Sequence, residues 1–86
     1  MTTMEKIKVN SLEKIDYAGG ESRKHPGVAV DYLYVIATLS DGEEVGYYAE
    51  TAEIGTVDGS YDILVNDIYW QMLDDGLVMD KSEFYN

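Results

Sequence analysis

The stretch VAVDYLYVIATLSDGEEVGYYAE, residues 28–50, decides the fold. In its first half Val28, Val30, Tyr32, Tyr34 and Ile36 fall on one face of an extended chain. Ala29, Leu33, Val35, Ala37 and Leu39 fall on the other. A run that is apolar on both faces reads as a central, well-covered strand, with Asp31 as its one charge. Asp41-Gly42 is the pair that a tight two-residue hairpin turn prefers, because both residues tolerate positive φ. Glu43 to Glu50 then returns as an antiparallel strand, with Val45, Tyr47 and Ala49 on one face.

Upstream, Ile7, Val9, Ile15 and Tyr17 alternate with polar residues. This is a further strand, with a bulge or turn near Asn10–Ser11. Met1 to Met4 reads as a frayed end, and AGGESRKHPG, residues 18–27, as a flexible loop. Downstream, residues 51–59 read either as a continued strand through Ile54 or as a loop. Ser60 has the chemistry of a helix N-cap, with Asp62 in the first turn. Gly76 is the expected helix stop after Asp75. Tyr61, Leu64, Val65, Ile68, Tyr69 and Met72 form the stripe that faces the sheet. Residues 77–86 add a short apolar segment at Leu77–Met79 and a tail. The expectation is one α+β domain over residues 1–86: a small antiparallel sheet of about three strands, with a C-terminal amphipathic helix packed across it.

Among its 86 residues the chain has no cysteine, which excludes thiol chemistry and thiolate metal sites. A small scaffold without disulfides reads as cytoplasmic. No apolar run approaches a membrane span, and the first residues have no signal-peptide pattern. The only histidine, His25, lies in the Gly- and Pro-flanked loop beside two cations. No nucleophile elbow, phosphate-binding loop or dinucleotide fingerprint is present, so the chain reads as a non-enzyme without a cofactor. Asp58-Gly59-Ser60-Tyr61-Asp62 begins like a calcium loop, but Ile63 stands where glycine is needed and Tyr69 where the bidentate glutamate is needed.

The charge distribution carries the functional argument. The formal net charge is −11, yet residues 1–24 are nearly balanced. Residues 25–80 contain twelve acids and neither lysine nor arginine. Like charges repel in the compact state, so a solubility surface and a docking face for a basic partner both remain as readings. Direct binding to DNA or RNA fails on sign. On the helix, Ile63, Asp67, Trp70 and Asp74 share the stripe opposite the core stripe, so the only tryptophan stands between two aspartates. It reads either as an anchor or as a residue covered by a terminus. Asp74 and Asp75 oppose the helix dipole without a neighbouring cation. Glu43 and Glu44 stand at the exposed hairpin turn. The candidate partner-binding residues are therefore Glu43, Glu44, Ile63, Asp67, Trp70, Asp74 and Asp75.

The small size, the lack of cysteine, the cation-free acidic stretch from His25 to Asp80 and the interleaved Tyr and Trp resemble small phage-encoded inhibitors. DNA-mimicking uracil-DNA glycosylase inhibitors and anti-CRISPR proteins are the examples. No motif is shared, so no residue role is carried over. The resemblance implies a DNA mimic in the host cytoplasm that blocks the basic groove of a nucleic-acid-binding protein, with an RNA-guided nuclease as the leading target class. Two alternatives stand beside it: an immunity protein or antitoxin that neutralises a basic toxin enzyme, and a structural subunit that forms homo-oligomers.

Overall fold

A computed structural model of the chain describes residues 7–52 and 57–85, with side chains described for all of these except 57–59. The readings of Met1–Met4, Ile54 and the Asp58 side chain lie outside the described residues. The elements run β1 (Ile7–Glu21), β2 (Ala29–Leu39), β3 (Glu44–Ala52), α1 (Val57–Asp74), β4 (Leu77–Val78) and a C-terminal 3-10 turn (Lys81–Tyr85). The strands form one sheet in the order β3-β2-β1-β4. β1, β2 and β3 pair antiparallel, whereas β4 pairs parallel to the start of β1 through Ile7↔Leu77 and Lys8↔Val78. The fold is thus α+β, as expected, and the sheet of about three antiparallel strands is a mixed one of four, the fourth being the two-residue β4. Among the described residues no helix is long and apolar enough to cross a membrane.

β2 is central, as its apolar run requires, but α1 covers only one of its faces. Leu33, Val35, Ala37 and Leu39 are buried beneath α1, together with Tyr47 and Ala49 of β3. Leu64, Val65, Ile68 and Met72 close this core from the helix side, each fully buried. Such side chains contribute about 1.5–3 kcal/mol apiece. Tyr61 and Tyr69 flank the same stripe half-buried. Phe84 of the C-terminal turn fills the remaining gap, and the Tyr61 hydroxyl donates to its carbonyl.

Three local readings are corrected. β1 does not end at Tyr17. It continues through Ala18–Glu21, because Gly19 and Gly20 pair with Asp31 and Val30. The flexible loop shrinks to residues 22–28, with the hydroxyl of buried Ser22 accepting from the Lys24 and His25 amides at 3.1 and 3.0 Å. Ser60 is not the cap of α1, which starts at Val57; Ser60 is buried inside the first turn. The hairpin is a wider turn than a two-residue one. Gly42 N–H donates to the Leu39 carbonyl at 2.9 Å, Leu39 N–H donates to Glu43 at 2.8 Å, and only Gly42 takes positive φ, at 91°. That is a type I turn closed by a left-handed glycine. The expected bulge near Asn10–Ser11 is present as a register shift between Val9 and Ser11, and a second follows between Lys14 and Asp16. α1 stops as read, at Gly76 with φ 82°.

Candidate functional site

α1 lies on one face of the sheet, so its outer side and the opposite sheet face are separate surfaces. The first carries the stripe read from the sequence. Ile63 is 46% exposed and Trp70 62% exposed, with Asp67 and Asp74 exposed beside them. The C-terminal turn does not cover Trp70. Its Lys81 Nζ donates to Asn66 and sits 5.8 Å from the Tyr69 ring, while the Tyr85 hydroxyl donates to Asp62 at 2.5 Å. The turn thus lies along a different flank of the helix. Trp70 makes one edge-on ring contact, with Tyr69 at 6.5 Å. Asp67 accepts from Gln71 Nε2 at 3.2 Å, and the same amide donates to the Tyr48 carbonyl at 3.1 Å.

The candidate residues do not form one patch. Ile63, Asp67, Trp70 and Asp74 share the helix stripe. Asp75 follows the helix and accepts from the Tyr47 hydroxyl at 2.6 Å, which gives this acid a local partner. Burial, and after it this bond to Asp75, pushes the Tyr47 phenol well above its ordinary value. Glu44 pairs with Thr38, which puts it on the sheet face away from the helix. Glu43 lies in the turn. The hairpin turn and the end of α1 nevertheless lie toward the same end of the sheet, because Ser40 N–H donates to the Lys8 carbonyl and Ile7 N–H donates to the Gly76 carbonyl.

The sequence leaves the hairpin-strand tyrosines Tyr32, Tyr34, Tyr47 and Tyr48 either as core and sheet-face residues or as a solvent-facing aromatic interface; Tyr47 is buried in the core, and the other three lie on the sheet face away from α1. Across the three long strands the rows of that face run Glu13–Ile36–Gly46, Asp16–Tyr34–Tyr48 and Ala18–Tyr32–Glu50. Apolar and aromatic side chains occupy the middle strand, and each row has a carboxylate on one flank. Tyr32, Tyr34 and Tyr48 are half-buried, the first two close beside glycines. A Cβ built on Gly46 would stand 2.6 Å from the Tyr34 hydroxyl, and one on Gly20 3.3 Å from the Tyr32 ring. The rings of Tyr32 and Tyr48 stack at 6.0 Å. Their hydroxyls donate to Asp16 and Glu50, each at 2.7 Å. Glu50 also accepts from the Ser22 hydroxyl and from the Arg23 amide at 3.1 Å. The Ser22 and Tyr48 hydroxyls hold its carboxyl down at about 2. Desolvation, then the bond to Glu50, raises the Tyr48 phenol to about 12. The Arg23 guanidinium lies over the Tyr48 ring at 4.4 Å from its centre.

A shallow concavity of about 350 Å³ lies between Lys14, Tyr17, Tyr61, Asp62 and Tyr85. Its groups are engaged with one another: Lys14 sits 5.1 Å from the Tyr61 ring, and Tyr17 packs edge-on against Tyr61 at 4.9 Å. Among the described residues no group of three or more His, Asp or Glu is placed to hold a metal ion. Comparison with family models, with curated proteins and with solved structures finds no match to this chain.

Proposed function

We propose that the protein is an acidic inhibitor that occupies the basic nucleic-acid-binding groove of a partner protein, of the kind a phage directs against a host RNA-guided nuclease. The observation that carries this reading is Trp70, 62% exposed on α1 with Asp67 and Asp74 a turn away on either side. A large aromatic ringed by acids suits a groove lined by lysine and arginine, where the ring anchors and the carboxylates stand in for phosphates. The cation-free run of residues 25–80 supports it, because nothing in that run offsets the field that would steer the approach. Counterions on the groove are released whether phosphate or carboxylate arrives.

The test has two parts. Partners are captured from a host lysate at low and at high salt and identified by mass. Each captured protein is then titrated with the inhibitor while bound to its own DNA or RNA. A basic partner that is captured only at low salt and releases its nucleic acid stoichiometrically is the expected result. A partner that keeps its nucleic acid while bound, or a gel shift of free DNA or RNA by this chain alone, overturns the proposal.

A further inference from the structure

The open sheet face has a chemistry of its own, and the chain supplies an example of its ligand. The Arg23 guanidinium sits over Tyr48, 4.4 Å from the ring centre, while its backbone amide donates to Glu50. One guanidinium therefore already occupies one end of the aromatic row. Tyr32 and Tyr34 continue that row along β2, with Asp16 and Glu13 on the β1 flank and Glu44 on the β3 flank. The Tyr32 and Tyr48 hydroxyls are committed to carboxylates, so what these residues can offer an incoming group is a ring rather than a donor. Among the described residues no hydrogen bond or ion pair reaches the carboxylates of Glu13 and Glu44.

We propose that this face binds the arginine side chains of an extended, arginine-rich protein segment, whose guanidinium groups stack on Tyr32 and Tyr34 and pair with Asp16, Glu13 and Glu44 as Arg23 stacks on Tyr48. Arginine is favoured over lysine because a planar, weakly hydrated guanidinium stacks on a ring and forks to a carboxylate at once, whereas an ammonium ion remains a hydrated point charge. A second copy of the chain is disfavoured on this face by the like charge of the two molecules. The surface lies on the opposite side of the sheet from Trp70, so this inference stands independently of the groove-blocking reading.

Isotope-labelled protein is titrated with an oligo-arginine peptide and with the oligo-lysine peptide of equal length. The arginine peptide is expected to bind about five-fold or more tightly than the lysine peptide. Its shifts should gather at Tyr32, Tyr34 and Tyr48 and leave the Trp70 indole signal unmoved. Replacing both Tyr32 and Tyr34 by leucine should bring the two peptides to equal affinity. Arg23→Ala, an exposed change that does not depend on repacking, should raise the ratio of arginine to lysine affinity by freeing the Tyr48 ring. Equal binding of the two peptides to the unaltered protein, shifts centred on Trp70 and Asp67, or an unchanged ratio in Arg23→Ala would each overturn the proposal. The Trp70→Ala variant should bind both peptides as the unaltered protein does, which separates this surface from the helix stripe.

Discussion

The hydroxyl of Ser60, buried in the first turn of α1, donates to the Asp31 carboxylate of β2 at 2.5 Å. This is the polar tie between the helix and the central strand, and it explains the one charge inside β2. Asp31 points toward the helix rather than to solvent, opposite Gly19, whose lack of a side chain leaves room for it. Ser60→Ala removes the donor and leaves a half-buried carboxylate without it. The expected cost is about 1–3 kcal/mol, read from urea unfolding. A change below roughly 0.5 kcal/mol would show that water replaces the hydroxyl and that the tie is incidental.

The Glu50 cluster sets a pH dependence. Its carboxyl is lowered from an ordinary 4.5 to about 2 by the Ser22 and Tyr48 hydroxyls. A depressed carboxyl stabilises the fold above its unfolded value, and that contribution is lost as the pH falls through the folded value. The stability difference between the unaltered protein and Glu50→Gln should therefore shrink as the pH falls from above about 4.5 toward about 2. The Tyr48 phenol, raised from 10.0 to about 12, works in the other direction. Its contribution is present below its unfolded value and is lost as the pH rises through about 12. A constant difference between the two proteins across the acid window would mean that Glu50 is held no more firmly in the folded state than in the unfolded one.

The β2–β3 hairpin and the inner stripe of α1 were legible because periodicity alone places Val35, Tyr47 and Ile68 inside. The remaining errors have identifiable causes. Gly19 and Gly20 read as a loop by composition, yet they extend β1, where Asp31 and Tyr32 leave little room for a side chain. β4 spans two residues, too few for any period to show, and its parallel pairing depends on Gly76 turning the chain toward Ile7. Tyr32, Tyr34 and Ile36 suggested a second covered face of β2. They are partly buried, Tyr32 and Tyr34 beside glycines, and among the described residues no helix lies above them. The Trp70 stripe was legible because the spacing of Ile63, Asp67, Trp70 and Asp74 fixes one helical face. Alternation along β3 already sets Glu44 opposite Val45 and Tyr47, and its register with Thr38 puts it on the sheet face away from the helix.

Crowding of acids has a measurable cost. Residues 25–80 hold twelve acids without a lysine or arginine, Asp74 and Asp75 stand at the end of α1, and the last turn of α1 holds no basic residue. Screening weakens this repulsion more in the compact state than in the unfolded chain. The melting temperature should rise between about 10 mM and about 0.5 M sodium chloride, as the Debye length falls from roughly 30 Å to a few ångströms. A flat or falling melting temperature would show that the acids are already compensated locally, as Asp75 is by Tyr47.

The helix stripe divides its work between arrival and residence. Asp67 and Asp74 are exposed, and among the described residues no hydrogen bond or ion pair reaches the Asp74 carboxylate. Their field acts before contact, so reversing both charges should lower the association rate for a basic partner about ten-fold at low salt and flatten its salt dependence. Trp70 acts only after contact, when its ring leaves water. Trp70→Ala should leave the association rate nearly unchanged and raise the dissociation rate by a factor equivalent to about 2 kcal/mol or more. With 62% of its surface exposed, Trp70 holds little of the core, so its removal should shift folding stability by no more than about 0.5 kcal/mol. Surface plasmon resonance on the captured partner, beside urea unfolding of each variant, separates these effects. A Trp70→Ala protein that unfolds early would make Trp70 a structural residue. An aspartate double variant that binds like the unaltered protein would make the acidic helix face a solubility surface only.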